Sequence, residues 1–321
     1  MKKILCPLAF ALLATISVGA QRLSGPELRT LRLKEDTLQL LAKKLIVDSL
    51  PQGRMRNDSL FIRTLVRTLQ VKNSFLYPFD SVQGISKLYA PDSSFRIFSW
   101  SLKFDDYYAR QRAAIQFKTA DGSLKMVPLR DFSEFTDKPN DSVRTKENWI
   151  GAVYYNIIKT EHAGKSFYTL FGIDDHSVRS NKKWIEVLTF APSGQPVFGG
   201  PLFSFEKDSI KKPVQHRYSV EYKKEASILV NYVPEEEMIL VDHLISETDE
   251  DDKPYTFIPD GDSEGFKWQN GKWVHVDKVF NFKLEDGQAP IPDPVRDGKG
   301  TNNEEKLNQQ SEKNKVKKVK G

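Results

Sequence analysis

Between Trp149 and Phe205, apolar and polar residues alternate in short runs that suit paired extended segments. GAVYYNIIK leads into the turn residues HAGK, SFYTLFGI into the polar loop DDHSVRSN, and KWIEVLTF into APSG before QPVFGGPLFSF. Aromatic and β-branched runs punctuated by Gly, Pro, Asn and Asp predict antiparallel strands joined by hairpins. The pattern continues on both sides. FRIFSWSLKF sets Phe98, Trp100, Leu102 and Phe104 on one face, and AAIQFK and LKMVPL flank the hairpin pair Asp121-Gly122. Asp131 to Asn148 reads as a long polar loop, and VQHRYSVEY, ASILVNYV and MILVDHLI add further strands. Asn270-Gly271 is the preferred pair for a two-residue type I′ turn, which places Trp268 opposite Trp273 and Gln269 opposite Lys272.

Ahead of the strands, residues 21–72 carry helical signals. Ser24-Gly-Pro-Glu27 has the form of a capping box, and Leu31, Leu38, Leu41 and Leu45 recur at helical spacing. Pro51 and Gly53 interrupt. A second helix is expected to start at Asn57 or Asp58 and to bury Leu60, Phe61, Leu65 and Leu69. The fold predicted is mainly β: a large antiparallel meander, sandwich or open barrel-like, over residues 73–295. Two N-terminal α-helices precede it, and residues 296–321, poor in apolar side chains, form a disordered basic tail.

Residues 1–20 have the composition of a signal peptide. Lys2 and Lys3 precede an apolar run from Ile4 to Val18, and Val18-Gly19-Ala20 supplies small residues for cleavage. That run is short for a membrane span, and no second stretch of spanning length follows, so no transmembrane segment is expected after Gln21. The single cysteine, Cys6, lies inside the leader, which leaves neither disulfide nor thiol chemistry to the exported chain. A periplasmic or secreted location is expected. Between leader and tail stand 39 basic and 40 acidic residues, whereas the tail from Lys299 holds seven lysines and three glutamates. A near-neutral body argues against a nucleic-acid partner.

The segments YPFDSVQGISKLYAPDSSFRIFSW, WIGAVYYNI, KWIEVLTF and GFKWQNGKWVHVDKVF resemble a group of exported proteins of Bacteroidota to which no activity is assigned. Asp-Ser/Thr-aliphatic tripeptides at Asp36, Asp48, Asp58, Asp80, Asp141 and Asp208 are similar to the O-glycosylation acceptor of exported proteins in that phylum. The resemblance implies a compartment and imports no chemistry.

Candidate chemistry is sparse. Gly261-Asp262-Ser263-Glu264-Gly265 fits the G-x-S-x-G pattern, but a nucleophile elbow needs a strand before the serine and a helix after it, and a hairpin follows here. Asp260, Asp262 and Glu264, followed by Gly265, have the spacing of the first half of a calcium loop, which makes calcium the one candidate cofactor. The twelfth position is Gly271, where such a loop has its bidentate glutamate. His162, His176, His216, His243 and His275 show no zinc spacing; His275 shares a strand face with Trp273. Tyr154, Trp268, Trp273 and His275 are the candidate ligand-binding residues, and none is singled out as catalytic. The function expected is non-enzymatic binding of a peptide, glycan or other envelope component. The alternative is a periplasmic polymer hydrolase using carboxylates such as Asp174, Asp175, Asp260 and Glu264.

Overall fold

The computed structural model describes residues 21–105 and 107–279. The expected signal peptide (1–20), the Pro-rich run DGQAPIPDPV and the basic tail (296–321) lie outside them.

Two helices open the described chain. In α1 (Gly25–Val47) both halves of the capping box form: Ser24 Oγ accepts from the Glu27 amide at 3.4 Å, and Glu27 Oε2 accepts from the Ser24 amide at 2.7 Å. Leu31, Leu38, Ala42 and Leu45 are buried. The second helix, α2 (Pro51–Leu69), starts earlier than its sequence suggested. Pro51 does not interrupt but occupies the first turn, where a missing N–H has no partner to lose. Asp58 therefore lies in the helix interior, 1% exposed. It accepts from Trp100 Nε1 at 2.9 Å and pairs with Arg112 at 3.1 Å.

Fifteen strands follow among the described residues. The first four are β1 (Ser86–Tyr89), β2 (Phe95–Lys103), β3 (Ala109–Phe117) and β4 (Lys125–Leu129), a meander in chain order. The polar loop after it contains two 3-10 turns, then β5 (Arg144–Thr145). Next come β6 (Val153–His162), β7 (Lys165–Asp174), β8 (Ser180–Phe190), β9 (Pro196–Phe198) and β10 (Phe203–Ser204). The last are β11 (Arg217–Lys223), β12 (Val230–Val233), β13 (Met238–Ser246), β14 (Phe257–Gln269) and β15 (Lys272–Val276). A second sheet has the order β5-β9-β8-β7-β6, and β11 pairs along the first half of β8. The third sheet is β10-β15-β14-β13-β12. All pairings between these strands are antiparallel except β10 with β15, and the sheets stay open. Trp268 pairs with Trp273 and Gln269 with Lys272 across Asn270-Gly271, whose φ values of 49° and 79° are those of a type I′ turn.

The layers stack as helices, first sheet, second sheet, third sheet. Phe98 and Trp100 of β2 pack under the helices with Phe61 and Leu65, while Phe95 and Ile97 face Tyr168, Leu170 and Trp184 of the second sheet. Phe171, Ile185 and Val187, on the second sheet's other side, meet Phe203, Ile239, Phe266 and Trp273. Both inner sheets are thus covered on both faces. In β2, β7 and β8 bulky side chains are buried on both faces, because a strand between two layers buries both of its alternating rows. Some polar groups in these cores are satisfied internally, whereas Trp184 Nε1 is buried without a partner among the described residues. Arg96, fully buried, sits 4.7 Å from the centre of the Phe98 ring and donates to the Ser74 and Tyr77 carbonyls and to Gln116 Oε1.

Candidate functional site

A cleft opens where the start of β3, the loop after β4 and the end of β7 meet. Its volume is about 190 Å³, and Tyr107, Tyr108, Arg110, Asp131, Glu134, Phe135, Asp174, Asp175 and His176 contribute to its lining. Asp131 is the anchor. Its Oδ1 accepts from the Ser133 amide (3.0 Å), Ser133 Oγ (2.6 Å) and the Gly151 amide (3.2 Å), and Oδ2 accepts from the Gln111 amide (2.9 Å). Only glycine fits at 151, since a Cβ there would lie 2.6 Å from the Asp131 carboxyl carbon. Gln111 passes the arrangement on, donating from Nε2 to Asp174 Oδ1 at 2.8 Å.

Asp174 and Asp175 point apart, as neighbours at the end of a strand do. Asp174 lies 3.6 Å from His176 Nδ1, and His176 Nε2 lies 3.5 Å from Glu221. Asp175 is bridged by Lys103 and Lys224. Burial pushes the Asp175 carboxyl up, but hydrogen bonds and charge from the two lysines outweigh it and hold the carboxyl below its ordinary range. Glu221 follows the same pattern, with burial opposed by Ser180, His176 and Lys182. At the mouth, Tyr108 donates to Glu134 at 3.1 Å, and burial together with that bond raises its phenol. Tyr107 and Phe135 stand 80% and 65% exposed. An aromatic mouth over a floor of fixed hydrogen-bonding groups can stack a ring and read its polar edge.

The residues singled out in the sequence lie elsewhere. Tyr154 is fully buried: its hydroxyl accepts from Trp149 Nε1 at 2.7 Å and donates to Glu186, which pairs with buried Arg217. Trp273 is likewise in the core, donating to Thr169 Oγ1 at 3.0 Å, and Trp268 packs on it at 5.2 Å. Tyr154 and Trp273 present no free surface, because each faces the seam between two sheets, whereas Trp268 is only partly buried. The calcium spacing is not a loop either. Asp260, Asp262 and Glu264 are alternate residues of β14, held respectively by His243 (2.8 Å), Lys278 (3.1 Å) and His275 (3.3 Å). Gly265 follows them because a Cβ there would meet the Ile239 carbonyl oxygen at 2.2 Å. Among the described residues no group of three His, Asp or Glu side chains is arranged so that it could hold a metal ion. Ser263 is mid-strand, paired with Asp242, so no nucleophile elbow forms.

Two of the named residues do come together. His275, 2% exposed between the rings of Phe205 and Phe266, holds Asp208 at 2.9 Å on Nδ1 and Glu264 on Nε2; Tyr218 donates to the other oxygen of Glu264. Burial lowers the pKa of His275, but the two carboxylates outweigh it and raise it above the ordinary 6.5. Burial conversely raises Glu264, and the bonds from His275 and Tyr218 leave it lowered. Both ring nitrogens of His275 are engaged by carboxylates, which leaves it no free nitrogen for a metal ion or a substrate proton.

Of the cleft residues, the sequence points to Asp174 and Asp175 as carboxylates and to His176 only as a histidine without zinc spacing. Asp131, Glu134 and Phe135 fell in the stretch read as a polar loop; the signal was the pair of aromatics, Phe132 and Phe135, set among polar residues. Comparison with protein-family models, with curated proteins and with solved structures finds no match for this chain.

Proposed function

We propose that the chain is an exported cell-envelope protein that binds a glycan, without turning it over, in the cleft around Asp131. The observation that carries this reading is the pairing of Tyr107 and Phe135, largely exposed, with the acceptors Glu134 and Asp174 in one cleft. The cleft's 190 Å³ is below the roughly 300 Å³ typical of pockets that enclose a drug-sized ligand. It suits one ring-sized unit of a chain that continues into solvent. The signal-like residues 1–20 and the resemblance to exported Bacteroidota proteins support the compartment.

A hydrolase is the second reading, favoured by four carboxylates lining one cleft. A glycosidase acid needs its pKa raised toward neutrality. Asp175 and neighbouring Glu221 are displaced the other way, and Glu264 belongs to a different network. Asp174, Asp175, Asp260 and Glu264 do not converge. Titrating the purified chain with a glycan panel, with and without EDTA, tests the proposal. Saturable binding weakened by Tyr107→Ala or Phe135→Ala is expected. Released reducing ends, or binding of peptides alone, would overturn it.

A further inference from the structure

His176 stands between two carboxylates from different strands. Its Nδ1 lies 3.6 Å from Asp174 Oδ2 at the end of β7, and its Nε2 lies 3.5 Å from Glu221 Oε2 on β11. Both gaps are wider than a good hydrogen bond. The backbone that follows is fixed: the Ser177 amide donates to the Ser180 carbonyl at 3.0 Å, and Lys224 Nζ donates to the Ser177 carbonyl at 2.9 Å. On one side of the imidazole lies the cleft. On the other, Glu221 lines a wider groove of about 510 Å³ with Lys182, Asp242 and His243. With 38% of its side chain exposed, the ring is open to protons from solvent.

Among the residues lining the cleft, His176 is the one of a type that changes charge near neutrality. Asp175 and Glu221 are held below the ordinary carboxylate range and stay ionised there. Asp175 is already taken by Lys103 of β2 and by Lys224, just after β11. Lys182 of β8 lies 3.3 Å from the same Glu221 oxygen that faces His176, and Ser180 donates to the other oxygen. Across the cleft stand Arg110 of β3 and, from the loop after β4, Asp131 and Glu134. Arg110 reaches the Asp131 carbonyl at 3.4 Å, and Tyr108 donates to Glu134. These surroundings leave Asp174 adjustable. Gln111 holds its Oδ1 at 2.8 Å, but among the described residues its Oδ2 accepts no hydrogen bond.

We propose, taking the glycan reading of the cleft as given, that His176 makes binding pH-sensitive and releases the glycan under mildly acidic conditions. While His176 is neutral, Asp174 Oδ2 is open to a sugar hydroxyl. Once charged, the imidazolium donates to Asp174 and Glu221 together, which draws Asp174 Oδ2 off the ligand. Asp174, Glu221 and Glu134 favour the new charge, and Lys182 and Arg110 oppose it.

Calorimetric titration of the full chain with cello-, chito- and manno-oligosaccharides, at about pH 7.5 and about pH 5.5, tests this. Affinity for the oligosaccharide bound best is expected to fall roughly fivefold at the lower pH. His176→Gln, which stays neutral, is expected to bring the ratio of the two affinities to about one. His176→Lys, which stays charged, is expected to bind weakly at both values. Neither substitution should shift the thermal melt, because the side chain is half-exposed. His275→Gln, in the buried network, is expected to keep the ratio. Equal affinity of the natural chain at both values overturns the proposal. A ratio unchanged in His176→Gln or lost in His275→Gln also overturns it, as does His176→Lys binding as tightly as His176→Gln. Absence of saturable binding by any oligosaccharide at either value overturns the glycan reading itself, and the proposal with it.

Discussion

His275 ties four side chains from separate segments into one buried unit, and its proton decides their balance. Its folded pKa lies above the ordinary 6.5, so its contribution to stability is full below 6.5 and is lost as pH rises through the folded value. Glu264 is lowered from 4.5, so its contribution is full above 4.5 and is lost as pH falls through its folded value. The network therefore stabilises most between those two reference values. Urea midpoints should fall between pH 6 and pH 8 in the natural chain. His275→Gln should flatten that slope, while His275→Ala, which strands two carboxylates in the core, should cost about 3–5 kcal/mol. A slope unchanged by His275→Gln would assign the pH dependence to other groups.

At the scale of elements, two glycines separate local strain from long-range packing. Gly271 has φ 79° in the last turn, which the sequence announces through Asn270-Gly271, although a Cβ there would also meet the His162 ring at 2.5 Å. Gly151 gives no such signal; it is required because the Asp131 carboxylate, from a distant loop, closes over it. Gly151→Ala should displace Asp131, slacken the cleft floor and reduce glycan affinity several-fold with a modest loss of melting temperature, measured by calorimetry. The same contrast explains what was legible in the chain. Capping box, alternating strands and final hairpin are written in residues adjacent in sequence. The start of α2, the burial of Tyr154 and the gathering of Asp131 with Asp174 depend on partners from other layers, which spacing does not encode.

Across the whole molecule, stability rests on stacking without covalent bridges, since the sole cysteine is Cys6. The third sheet is the outer layer most dependent on late sequence: β15 lies between β10 and β14, pairing Phe203 with Trp273 and Phe266 with His275. Deleting residues from Lys272 onward should remove that strand and bare Phe171, Ile185 and Val187. Increased binding of a hydrophobic dye, with the near-ultraviolet spectrum collapsing, is the expected outcome.

The parallel clasp of β10 by β15 also sets an order of events. Ser204 finds its partner Val274 only after some seventy further residues have left the ribosome. A nascent chain cannot lock its outermost layer before Val274 has emerged, and a chain that locks late stays pliable enough to be threaded elsewhere before it sets.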